Sequence, residues 1–344
     1  MAFPRVAAGG PKEPTVGTHV GYTPLLKADR LAKWLGVREA WVKNDAVNYP
    51  TLSFKDRVVS VALSRSKELG FKTGACASTG NLANSVAANA ASAGMDAIVF
   101  IPADLEEGKI LNSLIYGVRV VGIRGHYDEV NRLCPEIAGK YNWAFVNVNM
   151  RPYYAEGSKS MAYEITEQLG WSLPQHTVVP MAQARSPQDS QGLPGVDQAW
   201  PCQGHKALCT ALRRAVALPF GRYKQGMDFF KPVKPDTIAK SLPIGRRRRI
   251  LCAQGDEGNR WCVRRRTETK SARRCRHSPS ARDFTETAGG VTVGVAKKLV
   301  ASGKIPAEDS VVLASPARPQ NARCRQRHVG SRRDKPSLRE FEQL

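Results

Sequence analysis

The chain has 344 residues, with 52 Lys and Arg against 30 Asp and Glu, a formal charge of +22 and eight cysteines. That length is enough for two α/β lobes, while no apolar run is long enough to cross a bilayer and Met1–Gly10 carries no signal-peptide pattern. A helical membrane protein is therefore excluded and a cytoplasmic location is expected.

In chain order, short apolar strands are predicted at Trp41–Lys43, Ala75–Ala77, Ala97–Ile101, Val118–Ile123, Ala144–Asn147 and Thr177–Met181. Helices are predicted between them at Asp56–Leu69, Leu82–Ala93, Gly108–Tyr116, Tyr127–Tyr141 and Glu156–Leu169. Strand alternating with helix at this spacing implies parallel sheet with right-handed crossovers and a site in the crevice at the strand carboxyl ends.

Ser53-Phe54-Lys55-Asp56-Arg57 places one lysine at a helix start. Ser53 is a candidate cap, Asp56 takes the capping-box position, and Val58, Val59, Val61, Ala62 and Leu63 fill the next turns. Desolvation and the positive helix end are both expected to lower the Lys55 pKa and make it a nucleophilic, Schiff-base-forming amine. Downstream, Ala75–Ala77, the turn Ser78-Thr79-Gly80-Asn81 and the following alanine-rich helix read as an anion site. Backbone N–H groups converge there, the helix dipole is favourable and no large side chain intervenes. A third stretch, Asn149–Lys159, offers Arg151, Ser158 and Lys159 to an anion.

These elements together resemble a known family. Thr23-Pro24-Leu25, the run Asn48–Arg57 and Ala77–Asn81 are similar to the fold type II pyridoxal-phosphate enzymes, the tryptophan synthase beta-like α/β fold of two lobes with parallel sheets flanked by helices. Lys231–Ser241 and Phe284–Thr292 resemble the threonine synthases within that group. The resemblance implies that Lys55 carries pyridoxal 5'-phosphate, that Phe54 and Asn81 contact it, and that Ser78, Thr79 and Gly80 receive the substrate carboxylate. It places Arg151, Ser158 and Lys159 near the substrate phosphate. It also implies a large lobe of residues 1–55 and 160–344, a small lobe of residues 56–159, and a fold that admits a homodimer. The implied reaction converts O-phospho-L-homoserine and water to L-threonine and phosphate. A threonine or serine dehydratase uses the same lysine and loop and is the alternative enzyme.

The charge is unevenly spread. Segments 183–223, 246–282 and 314–344 have Lys and Arg excesses of three, ten and five, which is eighteen of the twenty-two charges, and hold six of the eight cysteines. They lack sustained helical or strand periodicity and interrupt the family resemblance abruptly. We read them as out-of-frame translation. Codons permitted for Arg246–Gln254 shift by one base to AADGYYAL, and similar shifts give GSLT near Gln183, ITG near Ala314 and GLKTLDA near Arg318. In the family a glycine-rich phosphate loop follows the strand that Thr177–Ala182 represents here, and a hydroxyl residue partners the pyridine nitrogen. Gln183–Pro187 and Ser315–Arg318 stand in those places, so turnover by the chain as it stands is expected to be impaired.

On this reading the basic runs are accidental. They lack interleaved aromatics and a binding module, so no specific nucleic-acid partner is expected; a basic nucleic-acid-binding protein and a non-functional product remain the alternatives outside enzymology. No metal site is expected, because His126 and His176 have no companions at ligand spacing and Cys252 and Cys262 lie too far apart for half a zinc knuckle. Cys76 and Cys134 read as buried free thiols.

Overall fold

The computed structural model describes residues 16–78, 80–103, 107–124, 127–147, 153–180, 206–212, 264–266 and 286–317. From the amino end, β1 (Leu25–Lys27), α1 (Asp29–Leu35) and β2 (Glu39–Asn44) lead through a 3₁₀ turn at Asp45–Val47 into α2 (Lys55–Glu68). There follow β3 (Thr73–Ala77), α3 (Asn81–Ala93), β4 (Asp96–Pro102), α4 (Glu107–Leu114), β5 (Arg119–Ile123), α5 (Tyr127–Lys140), β6 (Ala144–Phe145) and α6 (Tyr153–Gln168). The described chain continues with β7 (His176–Pro180), β8 (Lys206–Leu212), β9 (Arg264–Arg266), α7 (Thr287–Ala301) and β10 (Ser310–Ser315).

The strands form two sheets. One is four-stranded, in the order β5-β4-β3-β6, with every pair parallel. Its period-2 alternation sorts the core: Cys76, Val99 and Ile101 pack on one face with Val58, Leu63, Leu82 and Val86 of α2 and α3, while Ala75, Ala77, Ile98 and Phe100 pack on the other with Val130 and Cys134 of α5. Both thiols are buried and free, and burial pushes the Cys134 thiol up to about 11.

The second sheet is six-stranded, in the order β1-β2-β10-β7-β8-β9. Val291, Val295 and Leu299 of α7 close over Val178, Val311 and Leu313, together with Leu31 and Leu35 of α1. Two features depart from expectation. The β1–β2 pair is antiparallel, because the short Ala28–Arg38 link is too brief for the usual parallel crossover. Strands β8 and β9 also lie inside the segments that lacked strand periodicity, in parallel register against β7 and against each other. Backbone pairing is largely independent of side-chain pattern, and the outer edge of β7 demands a partner.

Candidate active site

The first turn of α2 is fixed from beneath by a buried ionic cluster. Arg57 is fully buried; its Nε and Nη2 donate to the two Asp45 carboxylate oxygens, each at 2.8 Å, and Nη1 and Nη2 donate to Glu164 at 2.6 and 2.8 Å. Nη2 also reaches Thr23 Oγ1 at 2.9 Å. Lys43, likewise sealed from solvent, lies 2.8 Å from Glu164 Oε2 and donates to the Thr23 carbonyl at 2.7 Å. Two cations and two carboxylates thus neutralise one another while tying β2, the 3₁₀ turn, α2 and α6 together. Burial alone would raise the Glu164 pKa, but the hydrogen bonds and charges of Arg57 and Lys43 outweigh it and hold the group at about 2.

Asp56, next to the lysine, faces the other way. Its carboxylate accepts from Thr51 N at 3.0 Å, Thr51 Oγ1 at 2.8 Å and Ser85 Oγ at 2.6 Å, binding the Asn48–Phe54 loop to α2 and α3. No cation joins it in these contacts, and burial, only partly offset by the hydrogen bonds, pushes its carboxyl up to about 6. The cap position of α2 is Phe54, in helical conformation, and not Ser53, which stands one residue earlier and accepts from Lys55 N through Oγ at 3.2 Å. Phe54 N donates to Pro316 O at 2.7 Å, and Ser53 bridges Ala317, so the turn after β10 packs directly against the lysine loop.

Lys55 itself is half-buried, and its Nζ donates to the hydroxyl of Tyr154 in the first turn of α6, lying 5.0 Å from that ring's centroid. Among the described residues no carboxylate pairs with it. The Ser78–Asn81 turn leaves β3 at its carboxyl end. Gly80 N–H is held by Ser78 Oγ at 3.2 Å, and the hydrogen bonding of α3 begins with Asn84 N–H on Gly80 O at 3.1 Å. The N–H groups ahead of Asn84 are the first-turn donors that anions take at helix starts. Asn81 Nδ2 reaches Glu286 Oε2, at the amino end of α7, at 3.4 Å.

The predicted site residues therefore fall into three groups. Lys55 and Phe54 open α2, and Ser78, Gly80 and Asn81 open α3. Ser158 and Lys159 lie further along α6, where Ser158 Oγ donates to the Tyr154 carbonyl at 3.3 Å and Lys159 Nζ pairs with Glu156 at 2.8 Å. Thr79, Arg151 and the segment 183–187 are outside the described residues. Tyr154 and Glu286 were not picked out as site residues. Each stands in a stretch that had been singled out for other reasons, and an aromatic or acidic residue at the amino end of a helix beside an anion-binding run was the available signal. A cavity of about 300 Å³ opens at the amino ends of β3, β4 and β5, lined by Thr73, Asp96, Arg119 and Trp143. It lies at the opposite end of those strands from the Ser78–Asn81 turn, and no lysine lines it.

An amine that opens one helix, a small-residue anion turn that opens the next, and an amide beside that turn, all above parallel strands, define the class of cofactor-binding α/β enzymes built around a lysine. Residues 16–186 match the family of pyridoxal-phosphate dependent enzymes, and the parallel sheets flanked by helices are those of its fold type II form. Threonine synthase of Methanocaldococcus jannaschii is 32% identical over 238 residues, covering 65% of this chain and 56% of the relative. Threonine synthase of Synechocystis is 40% identical over 174 residues, covering 50% of this chain and 44% of the relative. The chain thus spans about half the length of the curated relatives it matches. Among solved structures, maize serine racemase superposes with a TM-score of 0.74 at 17% identity, covering 87% of this chain and 88% of that one. Tomato threonine deaminase isoform 2 gives 0.71 at 20% identity, covering 92% and 84%. At these identities the structures share the fold.

Proposed function

We propose that the protein is a pyridoxal-phosphate-dependent lyase of the threonine synthase type, acting on O-phospho-L-homoserine and water to give L-threonine and phosphate. The observation that carries the reading is the Lys55 amine, half-buried at the start of α2 against the Tyr154 hydroxyl and paired with no carboxylate among the described residues, together with the Asn81 turn. The similarity to threonine synthases at 32–40% identity supports this substrate over those of other enzymes with the same fold. The same reading carries a cytoplasmic location and admits a homodimer.

The residues present fit the cofactor at its reactive end. Lys55 would hold it covalently and Asn81 would bond its ring oxygen, while the first-turn donors of α3 would bind the substrate carboxylate. Bound there, the cofactor supplies an electron sink for negative charge developing on the substrate's α and β carbons. The part played by the chain is to present one amine able to take and return protons at those carbons, with its backbone locked by the cluster beneath.

Phosphate release from O-phosphohomoserine tests the reading. Little or no turnover is expected from the chain as it stands, and recovered turnover from a version whose segments 183–223, 246–282 and 314–344 are restored to the alternative frame. A restored protein that deaminates threonine but releases no phosphate would overturn this substrate assignment in favour of a dehydratase.

A further inference from the structure

Gly157 sits in the first turns of α6 where that helix meets α2. A Cβ added there would lie 2.6 Å from the Arg57 carbonyl oxygen and 2.6 Å from the Val58 Cα, so only glycine permits this approach of the two backbones. Tyr154 lies three residues earlier on α6 and shares the same face. The contact made by Gly157 against Arg57 and Val58 therefore carries the Tyr154 ring over the preceding residues of α2, where Lys55 is. The ring is 6% exposed and packs in the apolar cluster with Val58, Leu82 and Val146, so its hydroxyl is delivered by a fixed scaffold.

We propose that Tyr154 is a positioning residue for the Lys55 amine, holding Nζ at the start of α2 through its hydroxyl. A phenol suits this task because its hydroxyl accepts from an ammonium and donates to a neutral amine, so the contact survives a change in the protonation of Nζ. A carboxylate in the same place would fix the ammonium form by ion pairing. The inference rests on the reading of Lys55 as the cofactor-bearing amine.

The test compares wild type with Tyr154→Phe, which keeps the ring and removes the hydroxyl. In the cofactor-free proteins, trace acetic anhydride is allowed to compete among lysines, and Lys55 acetylation is read by peptide mass spectrometry against the exposed Lys33. Releasing Nζ should raise Lys55 acetylation at least threefold, while capture of added pyridoxal phosphate by Lys55, read by borohydride trapping, should slow at least tenfold. Unchanged or reduced acetylation would overturn the proposal. Should Tyr154→Phe fail to fold, Lys55→Met gives the reciprocal readout. Without the Nζ cation, which favours the phenolate that tetranitromethane attacks, Tyr154 should be nitrated more slowly relative to Tyr141, and an unchanged or raised ratio would overturn the proposal. Wild type that captures no cofactor on Lys55 sinks the functional reading instead, leaving the acetylation comparison to decide this one.

Discussion

Lys55 and Arg57 stand two residues apart in the first turn of α2, yet one is half-buried against the Tyr154 hydroxyl and the other is sealed between two carboxylates. The guanidinium makes every contact that could make it immobile, and the ammonium makes few that would make it inert. One short segment thus supplies the anchor and, on the function proposed above, the reactive group. Charge compensation is concentrated at the anchor, and among the described residues none of it falls on the amine.

The sharpest way to break this comparison is to remove the anchor. Arg57→Met leaves Asp45 and Glu164 buried without their principal cation, and a loss of about 3–5 kcal/mol is expected in urea or thermal unfolding. A loss below about 1 kcal/mol would mean that the cluster is not what fixes the turn. Next in size is the pH response of Asp56. Its folded pKa of about 6 lies above the ordinary carboxyl value of 3.8, so the folded state binds the proton more tightly. The stabilisation it contributes is fully present below the unfolded pKa and is lost as pH rises through about 6, which at about 1.4 kcal/mol per pH unit is about 3 kcal/mol. Glu164 runs oppositely: with a folded pKa of about 2, its contribution is present above the unfolded value of 4.5 and is lost as pH falls through about 2. Unfolding free energies measured from pH 4 to 7 should therefore decline in wild type relative to Asp56→Asn, and parallel curves would contradict the assignment. Smaller still is Gly157→Ala, where overpacking against the α2 backbone should cost about 1–3 kcal/mol and displace Tyr154 from Lys55. Calorimetry and the acetylation ratio of Lys55 read the two effects.

The reactive half of this comparison was legible in sequence because its signals are local. Lys55 and Ser53, which accepts from its N–H, span three residues, and the Ser78–Asn81 turn joins a strand to a helix without help from afar. The anchor was not legible: Arg57 meets Asp45, Ser160 and Glu164 across separations of 12, 103 and 107 residues, and no spacing rule connects them. The Lys55–Tyr154 contact, 99 residues apart, was hidden for the same reason, although Gly157 marks the crossing that creates it. Among the elements, the βα alternation over residues 73–145 followed directly from apolar runs. β1, α1 and β10 escaped the strand-and-helix pattern because the first two are short and the third runs into a segment whose periodicity is broken. The Ala144–Asn147 strand shortened to Ala144 and Phe145, which pair with Gly74 and Ala75 of β3, while Val146 adds one more bond to that strand through its N–H on the Ala75 carbonyl at 2.7 Å.

The central claim is that Lys55 is the amine to which pyridoxal phosphate attaches. Incubating the protein with pyridoxal phosphate, reducing with borohydride and mapping the modified peptide tests it most directly. The phosphopyridoxyl group is expected on Lys55, and the associated absorbance should be lost in Lys55→Ala; modification of other lysines with Lys55 left unlabelled would contradict the account.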